Sequence, residues 1–286
     1  MSKEKRIPKE YAIVVSLIIF FTIVILTGAV RVYLITKDRL DTVDLSSIDV
    51  LETDTNIDIA SYNLKISNSI RQKYDIDVYY GISVNAESVN AVPATDDSLV
   101  FDMLRKINTV LEEYPEDLIR EIEKRGYEIS IHIVDHFTNN VEALANRNSI
   151  GQMKIYISNT TDVRRALHHE FYHILDYYIR LEFDESIAYM NWNTYNPIGF
   201  KYPEDVQAIT AEHIYNGEKG AHFVTAYAKY SDKEDRAETF AEMITAPRDE
   251  AFFDENEPIK GKMNIIKRVL RSTFESMRFA DNLAWE

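Results

Sequence analysis

Two periods of apolar and polar positions run along this chain, and one stretch has neither. From Tyr11 to Val30 no charged residue appears and Ile, Val, Leu and Phe dominate. As a helix rising about 1.5 Å per residue, this stretch would span about 30 Å, the hydrocarbon thickness of a bilayer. Asp41, Asp44, Asp49, Glu52, Asp54 and Asp58 are then scattered among short apolar pairs without a sustained period, the pattern of a polar stalk. From about residue 62 the pattern becomes that of a folded domain. A helical stretch runs to Lys73, a strand-like run rich in Val, Tyr and Ile covers Ile76 to Val84, and a loop passes through Pro93 and Asp97.

Leu99, Met103, Ile107, Val110 and Leu111 recur at helical spacing over 98–113, and Pro115 is placed to open a second helix that ends at Gly126. Ile129 to Val134 alternates as a strand. A loop rich in Asn leads to a second strand, Lys154 to Ser158, and Asn159, Thr160, Thr161 and Asp162 offer caps for a long helix just after it. Helix, helix, strand, strand, long helix predicts an α+β domain with a small sheet beside the long helix. No internal repeat is visible.

Charge gives the apolar segment an orientation. Lys3, Lys5, Arg6 and Lys9 precede it, which by the positive-inside tendency keeps residues 1–10 in the cytoplasm and sends the remainder outside. The expected layout is a cytoplasmic N-terminus (1–10), a transmembrane signal anchor (11–36), an acidic stalk (37–61) and an extracytoplasmic domain (62–286). Cleavage near Thr27-Gly28-Ala29 would instead release a secreted protein, although the apolar run exceeds the roughly 7–15 residues of an ordinary signal core. The formal charge of −15 argues against nucleic-acid binding. The chain has no cysteine, so any metal must be held by His and carboxylate.

Such a set exists. His169 and His173 stand four apart, so one helix face offers both imidazoles to a single ion, with Glu170 beside them. Leu167, Phe171, Ile174, Leu175 and Tyr178 gather on the opposite face, which predicts core on one side and cleft on the other. A zinc ion held by neutral imidazoles lowers the pKa of a bound water to about 7, and Glu170 is placed to accept the proton and pass it to a leaving amine. The competing reading is a chance His-Glu-x-x-His on an amphipathic helix. His168, whose fourth neighbour is Tyr172, reads as structural. Downstream, Glu234, Glu238 and Glu242 fall at i, i+4 and i+8. Either they face a cation and imidazole donors, or they are a solvated acidic face with Glu234 in a capping box with Ser231. Ala237, Phe240, Ala241 and Ile244 form the expected buried stripe. Glu234 projects nearest to it, which favours Glu234 as the third ligand and Glu238 as an acceptor behind it. A metzincin pattern is excluded by Asp176 and Ile179, where it would need Gly and a ligand.

His169-Glu170-Phe171-Tyr172-His173 with Asp176 behind it, Tyr227-Ala228, and Glu234 with Ala237-Glu238 resemble the lethal-factor-like gluzincins, the clan of the anthrax lethal factor catalytic domain and the bacterial Pro-Pro endopeptidases. The resemblance covers roughly residues 98–280 and implies a zincin-like metallopeptidase fold, a small sheet with an active-site helix and C-terminal helices, here preceded by one transmembrane helix. It implies one Zn2+ per chain on His169, His173 and Glu234, Glu170 as catalytic base, Tyr227 as the oxyanion-stabilising hydroxyl, and Glu238 and Asp176 behind the ligands. Family members have this tyrosine seven residues before the ligand glutamate, as Tyr227 is before Glu234; counting from Glu238 would put Ser231 there. It also implies that Lys154 to Ser158 is the edge strand along which an extended peptide lies. Arg236 departs from the family, which usually has an aromatic residue there.

The expected activity is zinc-dependent endopeptidase action on peptide or protein substrates outside the membrane, with a non-catalytic surface binding module as the alternative. An intramembrane protease is disfavoured, because the motif lies far from the apolar segment. The aromatic stretch Trp192 to Tyr202 is either a cleft wall or a packed connection, and His132, His136, His213 and His222 lack partners at ligand spacing.

Overall fold

Asp96 and Asp162 set the two helices on which the domain is organised. In the computed structural model, the Asp96 carboxylate accepts the Ser98 and Leu99 amides and Asp162 accepts those of Arg164 and Arg165, so each satisfies orphan donors at a helix start. The structure describes residues 58–124, 126–139, 141, 143–147, 152–159, 162–203, 220–246, 255–281 and 283–285. The expected anchor, almost all of the stalk, and His213 lie outside them. Among the described residues no helix is long and apolar enough to cross a membrane.

In chain order the elements are α1 (Ile59–Tyr74), β1 (Asp77–Tyr79), β2 (Ala91–Pro93), α2 (Asp97–Leu111), α3 (Glu116–Glu123), β3 (Glu128–Phe137), β4 (Ala143–Arg147), β5 (Gln152–Ser158), α4 (Val163–Glu182), α5 (Glu185–Ala188), α6 (Asp232–Thr245), α7 (Glu257–Thr273) and α8 (Glu275–Arg278). Short 3-10 turns at Trp192–Tyr195 and Tyr227–Lys229 flank the route between α5 and α6. The expected strand at Ile76 to Val84 is shorter, because Gly81 takes φ +60 and turns the chain into a 3-10 segment after β1.

The sheet has five strands in the order β1-β3-β5-β4, with β2 also pairing with β3. β3 lies parallel to β1 and β5, in register Ile131 to Ile155, and β4 closes the sheet antiparallel to β5 with Ala145 opposite Ile155. β3 and β5 are largely buried on both faces, as expected for parallel central strands. β5 is therefore interior, and the edge strand is β4. The expectation that Lys154 to Ser158 forms the edge is corrected: Ala143-Leu144-Ala145-Asn146-Arg147 lacks the β-branched alternation that marks a strand, and pairing with β5 makes it one.

α4 is buried on both sides. Leu167, Phe171, Leu175 and Tyr178 join the core, while His168, His169, Glu170 and Tyr172 are also covered. The cleft expected on the His face is mostly filled by α6, itself buried at every position from Asp235 to Ile244. α7 packs against α6 and the Trp192 turn. At Gly261 the Tyr195 ring comes so close that a Cβ would stand 2.1 Å from Cε1.

Candidate metal centre

α4 presents His169 and His173 one turn apart, with ring centroids 4.8 Å apart and planes at 81°. Both Nε2 atoms converge on the Glu234 carboxylate. His169 Nε2 is 3.1 Å from Glu234 Oε2, His173 Nε2 is 3.4 Å from the same oxygen, and the two Nε2 atoms are 3.1 Å apart. Zinc bonds of about 2.0–2.1 Å in tetrahedral geometry place neighbouring donor atoms about 3.3 Å apart, so this triangle fits one zinc. These are the residues that could hold a metal ion among those described. His169 is buried, while the His173 and Glu234 side chains are 22% and 16% exposed, so the position is open to solvent on one side.

The electrostatics favour a cation. Burial works against the His169 imidazolium, yet Glu234 and Glu238 outweigh it and raise its pKa to about 10. Burial alone would raise Glu234 and Glu238, but contacts from His169 hold both well below the usual carboxylate range, with help from His173 at Glu234 and Arg165 at Glu238. A divalent ion among the three donor atoms would supply the positive charge that the imidazolium supplies in its place.

Glu238 lies behind His169. Its carboxylate is 2.7 Å from His169 Nδ1, although the ring N–H is not aligned on it, and it accepts both Arg165 Nη groups at 3.2 and 2.8 Å and the Thr225 hydroxyl at 2.7 Å. Thr225 Oγ1 in turn accepts the Ala228 amide at 3.1 Å, which ties the turn carrying Tyr227 to the same carboxylate. Tyr227 is half-buried with its ring centroid 6.0 Å from that of His169. Burial and the nearby Glu234 and Glu170 push its pKa well up, so the hydroxyl stays a donor. Glu170 accepts the Ala145 amide of β4 at 2.5 Å, which places this carboxylate between the metal cluster and the sheet edge.

Several expectations are revised. Asp176 is not placed against an imidazole: it pairs with Arg236 and Arg180 and accepts the Tyr189 hydroxyl at 2.6 Å. Arg236, the departure from the expected aromatic, is 1% exposed and is held by Asp176, Glu185 and Asp232 with its guanidinium 4.2 Å from the Tyr189 ring centroid. Glu234 is not the most buried of the three glutamates. Glu238 is 2% exposed and Glu242 3%, and Glu242 lies 3.7 Å from Arg165. The solvated acidic face does not exist, while Ser231 does cap the Glu234 amide. His168 is structural, 2.6 Å from the Tyr114 hydroxyl and 3.5 Å from Glu113. Within the Trp192 to Tyr202 stretch the Trp192 and Tyr202 side chains both donate to Asp235, while Ile198 between them is fully exposed. Thr225 and Arg165 carried no signal in the sequence beyond Arg165 standing one helical turn before His169.

A family profile described as "putative zinc-binding metallo-peptidase" matches residues 58–257. The chain belongs to this family. Zinc is the cofactor of this family, and the chain has a His-His-Glu cluster that can hold it. A crystal structure titled as a putative zinc-binding metallo-peptidase from Bacteroides caccae is similar at 20% identity and a TM-score of 0.47, over 79% of this chain and 92% of that one. Among curated proteins nothing matches.

Proposed function

We propose that the protein is a zinc-dependent endopeptidase of the lethal-factor-like type, with His169, His173 and Glu234 as ligands, Glu170 as general base and then acid, and Tyr227 as oxyanion donor. The observation that carries this reading is the convergence of the three donor atoms beside a base that touches the sheet edge. When bound, zinc acidifies the attacking water and polarises the scissile carbonyl. The Glu170 carboxylate takes the proton from that water and delivers it to the amide nitrogen as the C–N bond breaks. The Tyr227 hydroxyl donates to the oxygen on which negative charge develops. Glu238 keeps the His169 ring in orientation, and Thr225 holds the Tyr227 turn. Outward positions alternate along an edge strand, so Ala143 and Arg147 present their backbones on the same side as Ala145, a template for an extended peptide.

We place this domain outside the cytoplasmic membrane behind a single anchor. Support comes from the uncharged Tyr11 to Val30 segment and the cations before it. The test uses the full chain in detergent. It should contain about one zinc per chain by elemental analysis, and Glu170→Gln should keep the metal while peptide cleavage disappears. Wild-type protein free of zinc after purification in zinc-containing buffer, or cleavage that survives Glu170→Gln, refutes the reading. Added protease should digest the domain on intact cells if the placement is right.

A further inference from the structure

A cavity of about 210 Å³ lies beside the metal cluster, between the sheet edge and the C-terminal half of α4, and shares His173 with the cluster and Ala145 with the contact to Glu170. Whole small-molecule sites run to about 300–1,000 Å³, so this one is the size of a single side chain. Met153 and Ile174, both nearly fully buried, give it an apolar wall. Its charged lining is Arg180, Lys233 and Asp176. Asp176 is already committed: it pairs with Arg236 at 3.1 Å and with Nε of Arg180 at 3.1 Å. The Nη groups of Arg180 have no described partner, and Lys233 is exposed and has no ion-pair partner among the described residues. A chain of net charge −15 thus has a cationic pocket next to its base.

We infer that this pocket is a specificity subsite for a carboxylate-bearing residue of the substrate, bound by Arg180 and Lys233 at a position adjoining the scissile bond. The inference rests on the peptidase reading and names its substrate class. A peptide lying along β4 passes Ala145 with alternate side chains turned to the same side, and one so placed beside His173 meets the cavity. Arg180 offers its paired Nη groups to the two carboxylate oxygens and Lys233 adds a point charge at the mouth. The net charge of the domain favours basic partners at long range, and the pocket selects an acidic residue at short range. The carboxylate is that of an Asp or Glu side chain, since cleavage within a chain leaves no terminal carboxylate beside the bond.

The experiment uses the zinc-loaded full chain and quenched fluorogenic peptides carrying Glu, Gln or Lys at each position on both sides of the bond, with amidated and free C-termini. At one position Glu should exceed Gln by about 10-fold or more in kcat/KM. Amidation should leave this preference in place, and a preference that vanishes on amidation overturns a side-chain subsite. Arg180→Gln should collapse the ratio toward about one, and Lys233→Glu at an exposed site should shift the preference toward Lys. Cleavage without preference for a carboxylate at any position, or a preference untouched by both variants, overturns the subsite and leaves the peptidase standing. Should nothing be cleaved, the peptidase reading falls and binding of the same peptides by fluorescence anisotropy decides the pocket. Tighter binding of Glu peptides that depends on Arg180 keeps it, and equal binding overturns it.

Discussion

Replacing Glu238 with Gln removes one charge from the carboxylate that touches His169, Arg165 and Thr225, and the structure separates what this does to the metal from what it does to the fold. The side chain is 3% exposed, so solvent does not substitute for it. His169 loses the carboxylate that lies 2.7 Å from its Nδ1. Loss of such a partner weakens metal binding by about 10- to 100-fold, or about 1.4–2.7 kcal/mol. Arg165 loses its paired contact at 3.2 and 2.8 Å but keeps Glu242 at 3.7 Å. The cost to stability should therefore fall below the roughly 3–5 kcal/mol of a fully orphaned buried ion, at about 2–3 kcal/mol. Zinc affinity by chelator competition and stability by urea unfolding of the metal-free protein read the two effects independently. Glu242→Gln is the control: it removes a charge 3.7 Å from the same arginine and lies outside the His169-His173-Glu234 cluster, so it should lower stability by about 1 kcal/mol and leave zinc affinity within about twofold. A Glu238→Gln protein that is destabilised but binds zinc within about twofold of wild type refutes a role for Glu238 in orienting His169.

Tyr227→Phe should keep zinc and lower kcat by about 10²- to 10³-fold, measured on the best peptide from the library; an unchanged kcat removes the hydroxyl from the reaction. His132 is stacked between Tyr79 and Tyr156, with centroids 4.9 and 4.7 Å away, and burial followed by Lys154 lowers its pKa from 6.5 to about 4. Between those values the unfolded chain binds the proton and the folded one does not, so stability falls as the pH drops from 6.5 toward 4. The shift corresponds to about 3 kcal/mol at most and to about 1–2 kcal/mol once solvent at the ring edge is allowed for; unfolding curves of His132→Phe should lack that part of the loss. Lys262→Met leaves the buried Asp235 without its cation at 2.7 Å and should cost about 3 kcal/mol in thermal or urea unfolding, with part recovered on adding Asp235→Asn.

The parts of this molecule governed by local rules were legible in its sequence. Asp162 caps the long helix, Pro115 precedes α3, and the helical period from Leu99 to Leu111 becomes α2. The pairing of His169 with His173 follows from spacing, the resemblance singled out Glu234, and the structure brings the three within reach of one ion. What escaped is what depends on distant partners. Ala143 to Arg147 becomes a strand only because β5 lies beside it, and that changes which strand forms the sheet edge. Asp176 sits three residues past His173, yet Arg236, sixty positions later, claims it. Ranking the glutamates by nearness to an apolar stripe assumed that the opposite face of α6 meets water. That assumption fails because each charge there meets an opposite one.

α6 shows why such a polar sequence can lie in the interior next to the His169-His173-Glu234 cluster. Asp235 reaches Lys262 on α7, Arg236 reaches Asp176 on α4, and Glu238 reaches both Arg165 and His169 on α4. Each pair is costly to bury and adds little to net stability compared with apolar packing. Together, however, they accept one rotation of α6 about its axis, because a turn of 100° would part every pair at once and leave several buried charges without partners. Apolar side chains in the same places would tolerate neighbouring rotations with modest repacking. Glu234 lies between the Ser231 cap and Asp235, so the charges that fix the helix also fix the carboxylate that converges on His169 and His173. The buried ion pairs of α6 are therefore best understood as setting the geometry of the metal site, with stability left to the apolar core around Phe171, Phe240 and Ile266.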